Sequence, residues 1–153
     1  MVNMSCSADA VPSAMYTFLM DGVVQQPEGS STFLIQPASR DNDGSYQCSA
    51  RNNAGTKTSE SRTLVVHYKP ECHHPDYMYA DLGEDFTVAS NCSANPTDMN
   101  YQWSSVPNVT DLDNDPATFT FLVSTKVGTN YTVTVIANNS IGSTTESVIV
   151  IVA

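Results

Sequence analysis

One short stretch occurs twice in this chain, and it constrains the fold more than any other feature. YQCSARNNAG, beginning at Tyr46, returns imperfectly as VTVIANNSIG beginning at Val133, and each copy is followed by a β-rich run, TLVVHY or SVIVIV. Two copies of one unit imply two domains in series. The repeat settles what length leaves open, because 153 residues suit one generous domain or two small ones. The expected division is 1–68 and 69–153.

Helical periodicity is absent. Short runs of β-branched and aromatic residues are punctuated by Gly, Pro, Asn and Asp, which is the pattern of an all-β chain. In the first unit the strands are expected over residues 2–8, 15–20, 23–25, 32–35, 45–51 and 59–66. Asp21-Gly22 supplies the positive-φ pair of a tight hairpin, so the strands on either side of it should pair. Alternation along 45–51 turns Tyr46, Cys48 and Ala50 to one face and Gln47, Ser49 and Arg51 to the other. The first set is expected in the core, where Cys48 faces Cys6. A bridge there closes a loop of about forty residues and constrains the unfolded chain by ~3–4 kcal/mol, a contribution that a domain this small needs.

Charge narrows the partners. Asp and Glu outnumber Lys and Arg by 16 to 6, a formal net charge of −10. Residues 1–68 carry four basic and six acidic side chains, whereas residues 69–153 set Lys69 and Lys126 against ten acids. Such a surface repels nucleic acid and anionic lipid headgroups. Four cysteines and five N-x-[ST] sequons, at Asn3, Asn91, Asn108, Asn130 and Asn138, point to an extracellular, secretory setting where glycans attach and disulfides persist. Asn95 is excluded because Pro96 follows it. No signal peptide is visible at the start, and only five residues precede Cys6, so a fragment whose first unit lacks its opening strand is expected. The terminal VIVIVA is far shorter than the ~20 residues that span a bilayer, and the fragment itself is expected to make no membrane contact.

Cys6, the aromatic Phe18, NDGSYQC from Asn42 to Cys48, and A-x-N-x-x-G through Ala50, Asn52 and Gly55 together resemble an immunoglobulin domain of the I-set or C2 type. The run from Cys6 to Phe18, then DGVVQQ and STFLIQPASRDNDGSYQC, is similar to the C2-type domains of carcinoembryonic-antigen-like and hemicentin-like adhesion proteins. The resemblance implies two tandem immunoglobulin-like antiparallel β-sandwiches. Phe18 stands where the family usually has Trp, and Asn42 where the E–F corner usually has Asp. Tyr46, two residues before Cys48, fits the tyrosine corner, its hydroxyl tying back to the E–F backbone.

The second unit departs from the pattern. NCSANPTDMNYQW resembles a segment running from strand B to strand C, with Cys92 eleven residues before Trp103. Its F strand, NYTVTVIANNSIG, has Val133 and Val135 where the tyrosine and cysteine should stand, as in a fibronectin type III strand. Cys92 therefore lacks a strand-F partner. Cys72 is the other unassigned cysteine and lies at the start of strand A, close to the same end of the sandwich as Cys92. A Cys72–Cys92 bridge is expected, the alternative being two free or intermolecular thiols. The junction VVHYKPE has no Gly or Ser spacer, so the last strand of the first unit should run almost directly into the next unit as a short rod.

No catalytic or cofactor motif is present, and a non-enzymatic chain without cofactor or metal is expected. His67, His73 and His74 have no G-x-S-x-G or H-E-x-x-H context; Cys72-His73-His74-Pro75-Asp76 matches no metal-ligand spacing. Asp111-Leu112-Asp113-Asn114-Asp115-Pro116 places oxygens at alternate positions, as Ca²⁺ likes, but it lacks the glycine and distal glutamate of an EF-hand. A solvated loop before strand E is the expected reading. Arg51 on strand F invites comparison with sialic-acid-binding immunoglobulin-type lectins, although a surface arginine at a strand end is commoner.

Sequon placement gives the better guide to a binding face. Asn91 and Asn138 should coat both faces of the second unit, which reads as a spacer. In the first unit Asn3 is the only sequon and points away from the G-F-C-C′ sheet. The outer face of that sheet is expected to display Met15, Thr17, Leu19, Gln47, Ser49 and Arg51, with Val23 or Val24 beside them. The resulting expectation is an extracellular adhesion or recognition receptor fragment that binds a protein on another cell or a like molecule. The alternatives are a lectin-like immune receptor that binds glycan, a structural immunoglobulin array of the muscle type, and the ectodomain of a receptor kinase.

Overall fold

The computed structural model describes all 153 residues. Contacts within it gather into two units, Met1–Val66 and His67–Ala153, and each is a β-sandwich.

In the first unit the strands are β1 (Val2–Ser5), β2 (Met15–Met20), β3 (Val23–Gly29), β4 (Thr32–Ile35), β5 (Gly44–Asn52), β6 (Gly55–Thr58) and β7 (Arg62–Leu64). One sheet has the order β3-β2-β5-β6, with β7 also pairing β5, and the other is β1-β4. The hairpin between β2 and β3 turns on Asp21 (φ 50°) and Gly22 (φ 81°), a pair of left-handed conformations that glycine adopts at no steric cost. Its tip is fastened to the start of β5: Asp21 Oδ1 accepts from the Ser45 N–H at 2.9 Å, and the Asp21 N–H donates to the Ser45 carbonyl at 2.8 Å. Gly44 permits this approach, since a Cβ there would lie 2.7 Å from Asp21 Oδ2.

Alternation along β5 buries Tyr46 and Cys48. Phe18 opposes Cys48 in register on β2 and packs against Phe33, ring centroids 5.6 Å apart. The Tyr46 hydroxyl donates to the Asn42 carbonyl at 2.8 Å, and the Asn42 side chain accepts from the Ser39 N–H at 2.8 Å, so asparagine serves as the turn's acceptor.

Three strand limits differ from expectation. β1 ends at Ser5 rather than at Ala8, because the Ala8 N–H is taken by the Tyr16 hydroxyl at 3.0 Å instead of a ladder partner. β3 continues to Gly29, past residue 25, through a register shift against β2 that absorbs Pro27. The expected strand 59–66 is two pieces, β6 beginning earlier at Gly55 and β7 starting at Arg62. Ser59 sits at the break, where its hydroxyl accepts the Cys48 N–H at 3.0 Å.

The second unit contains β8 (Tyr68–Cys72), β9 (Tyr77–Ala80), β10 (Asp85–Ala89), β11 (Cys92–Asn95), β12 (Asn100–Val106), β13 (Thr118–Leu122), β14 (Asn130–Asn138) and β15 (Ser143–Val152). A four-stranded sheet β12-β14-β15-β9 accompanies the pairs β10-β13 and β8-β11. The sandwiches are otherwise antiparallel, but β9 pairs parallel with β15. The strand-A segment changes partner: β8 lies against β11, the chain breaks at His73-His74-Pro75, and β9 then joins the other sheet. Proline at the break cannot continue a ladder.

The core of this unit is apolar. Val88, Phe119, Phe121, Val123, Tyr131, Val133, Val148, Val150 and Val152 form one buried cluster together with Ala80, and Trp103 packs against it. Trp103 stacks on Phe119 with centroids 5.8 Å apart, and Phe121 sits 4.9 Å from Tyr131.

Candidate functional site

The six residues expected on the first unit's outer face come from two neighbouring strands that the fold places in register. Met15 opposes Arg51, Thr17 opposes Ser49, and Leu19 opposes Gln47, so they form three cross-strand pairs on one side of the sheet, opposite to buried Phe18, Tyr46 and Cys48. Directly opposed side chains in an antiparallel pair lie on the same face with Cβ atoms about 5 Å apart.

The face is wider than those two strands. Val24, 54 % exposed, opposes Leu19 from β3, which selects Val24 over Val23 as its apolar member. On the other side Thr58 opposes Ser49, and Thr56 opposes Arg51, with the Thr58 hydroxyl donating to Ser49 Oγ at 3.4 Å. The two threonines join the face because β6 begins at Gly55, earlier than the strand expected from residue 59. The alternation of GTKT after Asn52-Asn53-Ala54 was the signal for them. Met15, Val24 and Arg51 are exposed, while Thr17, Leu19, Gln47 and Ser49 are half-buried among their neighbours. The middle of the face is therefore a mixed apolar and hydroxyl surface with Arg51 at one end.

Asn3 is exposed on β1 opposite Leu34, in the other sheet. The other sequons belong to the second unit. Asn130 and Asn138 are the first and last residues of β14, on the side opposite the buried Tyr131, Val133, Val135 and Ala137. Asn108 is exposed in the loop after β12. Asn91 corrects its expected place on strand B: it sits in the break between β10 and β11 with φ 45°, where Ser90 and His73 divert the backbone hydrogen bonds.

Cys6 is bonded to Cys48, and Cys72 to Cys92. The second bridge joins residues that face each other directly across β8 and β11, Cα atoms 4.0 Å apart, so it staples neighbouring strands rather than the two layers. It also occupies the thiol of the Cys72-His73-His74 run, whose His74 Nε2 lies 2.9 Å from the Ala89 carbonyl.

The carboxylates of the acidic loop are turned inward on their own backbone. Asp113 Oδ1 accepts the Asp115 N–H at 3.0 Å, and Asp115 Oδ1 the Ala117 N–H at 2.9 Å. Asp111 Oδ1 accepts the Thr120 N–H at 3.1 Å. The first two are side-chain turns that shape the loop, and the third ties it to β13. The Thr120 hydroxyl donates to Asp113, and this bond, although burial opposes it, together with those from the Asp115 N–H and Thr118 hydroxyl holds that carboxyl below the ordinary aspartate range.

Residues 1–66 match the family model described as "Immunoglobulin domain". The B-cell receptor CD22 of Mus musculus is 31 % identical over 88 residues, covering 56 % of this chain and 10 % of that protein. Protein sidekick of Drosophila melanogaster is 41 % identical over 66 residues, covering 42 % and 3 %; the chain thus spans a tenth or less of these relatives. Among solved structures, the insect immune protein hemolin superposes with a TM-score of 0.60 over 99 % of this chain and 42 % of its own, at 16 % identity, a likeness of fold across both units. The first sandwich, residues 1–66, thus matches the immunoglobulin domain family, and the chain as a whole has the fold of two tandem immunoglobulin-like sandwiches.

Proposed function

We propose that this chain is part of an extracellular adhesion or recognition protein, and that the outer face of the β3-β2-β5-β6 sheet is its contact surface for a protein partner, a second copy of the chain being one such partner. The observation that carries the reading is the register itself. Apolar Met15, Leu19 and Val24 and the polar Thr17, Gln47, Ser49 and Arg51 gather on one sheet face, and the unit's sequon lies on the other sheet. Partner surfaces of this kind combine an apolar centre with a polar rim and arginine. Mouse CD22, by name a receptor, is among the relatives of this chain.

The test uses the whole chain secreted from cultured cells. Self-association is followed by sedimentation, and heterophilic binding by multimerised chain against a panel of purified cell-surface ectodomains. Leu19→Asp and Val24→Asp should reduce the observed binding at least tenfold, about 1.4 kcal/mol or more, with circular dichroism unchanged. Binding that survives both substitutions removes this face from consideration. Glycan-array binding abolished by Arg51→Ala would transfer the site to a lectin-like one. Empty sequons and free thiols in the native protein would move the chain to a structural array.

A further inference from the structure

The four-stranded sheet of the second unit has an apolar stripe on its outer side. Register lines up Asn130, Ile151 and Tyr79 across β14, β15 and β9, and next to that row Val106, Thr132, Ile149 and Tyr77. Tyr79 is 68 % exposed and Tyr77 56 %. None of these positions is charged, in a chain whose net charge is −10, and β9 forms the sheet's edge. An edge strand carrying exposed aromatics is a template for unwanted strand pairing unless something covers it.

The stripe begins at a sequon. Asn130-Tyr131-Thr132 satisfies the acceptor pattern, and Asn130 is exposed at the head of β14. Strands lie about 4.8 Å apart in a sheet, which puts Ile151 one strand spacing from Asn130 and Tyr79 two, a distance that the first two sugars of an N-linked glycan cover. The less polar face of an N-acetylglucosamine ring presents C–H groups, and a tyrosine ring offers a flat, electron-rich surface to receive them.

We propose that Asn130 carries an N-linked glycan whose first sugars lie along the sheet on Ile151 and Tyr79, so that this glycan is a packed part of the second unit and shields its β9 edge. The proposal shares with the adhesion reading only passage through the secretory route, and the first unit's face plays no part in it.

The full chain secreted from cultured cells is compared with Asn130→Gln, Tyr79→Ser and the double variant. Glycopeptide mass spectrometry should find Asn130 occupied in the parent and in Tyr79→Ser. Asn130→Gln should lower the unfolding temperature of the second unit by about 4 °C, and that loss should vanish in the Tyr79→Ser background. Independently of stability, folded protein trimmed to the first N-acetylglucosamine should show nuclear Overhauser contacts between that sugar and the Tyr79 ring. An empty Asn130 in material whose Asn91 or Asn138 is occupied overturns the proposal alone, as does an occupied Asn130 with equal losses in both backgrounds and no sugar-to-ring contacts. Sequons empty throughout overturn it together with the extracellular reading.

Discussion

Where β5 of the first unit carries Cys48 opposite Phe18, β14 of the second carries Val135 opposite Trp103. The two positions correspond in the strand plan, and the two units close their layers differently there. The first joins them covalently through Cys6–Cys48 around a short set of buried residues, Phe18, Ile35, Tyr46 and Cys48. The second fills the space with valines and a chain of aromatic contacts running from Trp103 through Phe119 and Phe121 to Tyr131. Its own disulfide is displaced to a pair of adjacent strands. A sandwich of this size is stabilised either by limiting the unfolded chain's entropy or by burying enough apolar surface. Where the core is large, the inter-layer cysteine is dispensable.

The tyrosines differ in the same way. Tyr46 donates its hydroxyl proton to a carbonyl. The Tyr131 oxygen accepts two backbone N–H groups, from Ser124 at 3.0 Å and Thr125 at 3.1 Å. Both tie the entry of a central strand to the turn before it, one by giving a hydrogen bond and the other by receiving two.

The sharpest way to break this comparison is to hollow the second core. Phe121→Ala removes a fully buried ring and should cost ~3–5 kcal/mol, enough to separate the unfolding of the two units in a calorimeter. A loss below about 1 kcal/mol would mean that the second unit does not depend on its aromatic chain. Replacing both members of each cysteine pair comes next. The 42-residue separation of Cys6 and Cys48 corresponds to about 4 kcal/mol of chain entropy, and the 20-residue separation of Cys72 and Cys92 to about 3 kcal/mol. The first double alanine variant should unfold its unit at physiological temperature, whereas the second should leave a folded, less stable one, as read by urea titration. Equal outcomes would show that the size of the core does not decide.

The smallest effect is in the phenol titrations. Burial raises the Tyr46 phenol, and the Asp21 carboxylate pushes the same way, with its hydrogen bond at Asn42 opposing them. Burial also acts to raise Tyr131, but its hydrogen bonds with Thr125 and Ser124 outweigh that, and the net direction is down. The stability tied to Tyr46 is therefore present below the unfolded tyrosine value near 10 and is lost as pH rises above it. That tied to Tyr131 grows as pH rises through its lowered folded value towards 10 and is retained above it. Ultraviolet titration of Tyr46→Phe and Tyr131→Phe variants should show Tyr131 ionising first; the reverse order would contradict the opposite roles of the two hydroxyls.

Much of this was legible before any fold was known. Period-two alternation along 45–51 turned Tyr46 and Cys48 inward, and Asp21-Gly22 announced its hairpin, because both signals are local: strand pleat and positive φ depend on residues within a few positions. The corner tyrosine of the second unit was missed. The family spacing points to Val133, two residues before the cysteine position, yet the residue that reaches the preceding turn is Tyr131, two residues earlier on the same buried face. Parity alone could not distinguish them, since both point inward.

The sequence by itself determined that the chain is all-β, that one unit occurs twice, and which face of its central strands is buried, because residue chemistry and spacing carry that information along the chain. Tertiary structure decided which strands meet and in what register: Val24 beside Leu19, Thr58 beside Ser49, Tyr79 beside Ile151. It also decided that the carboxylates of the 111–115 loop accept backbone N–H groups of the loop and of β13. Alternation repeats every two residues and is satisfied equally by any even shift of one strand past another. Only the packing of distant side chains selects among those shifts, and the surfaces proposed here for binding and glycosylation are made by that selection.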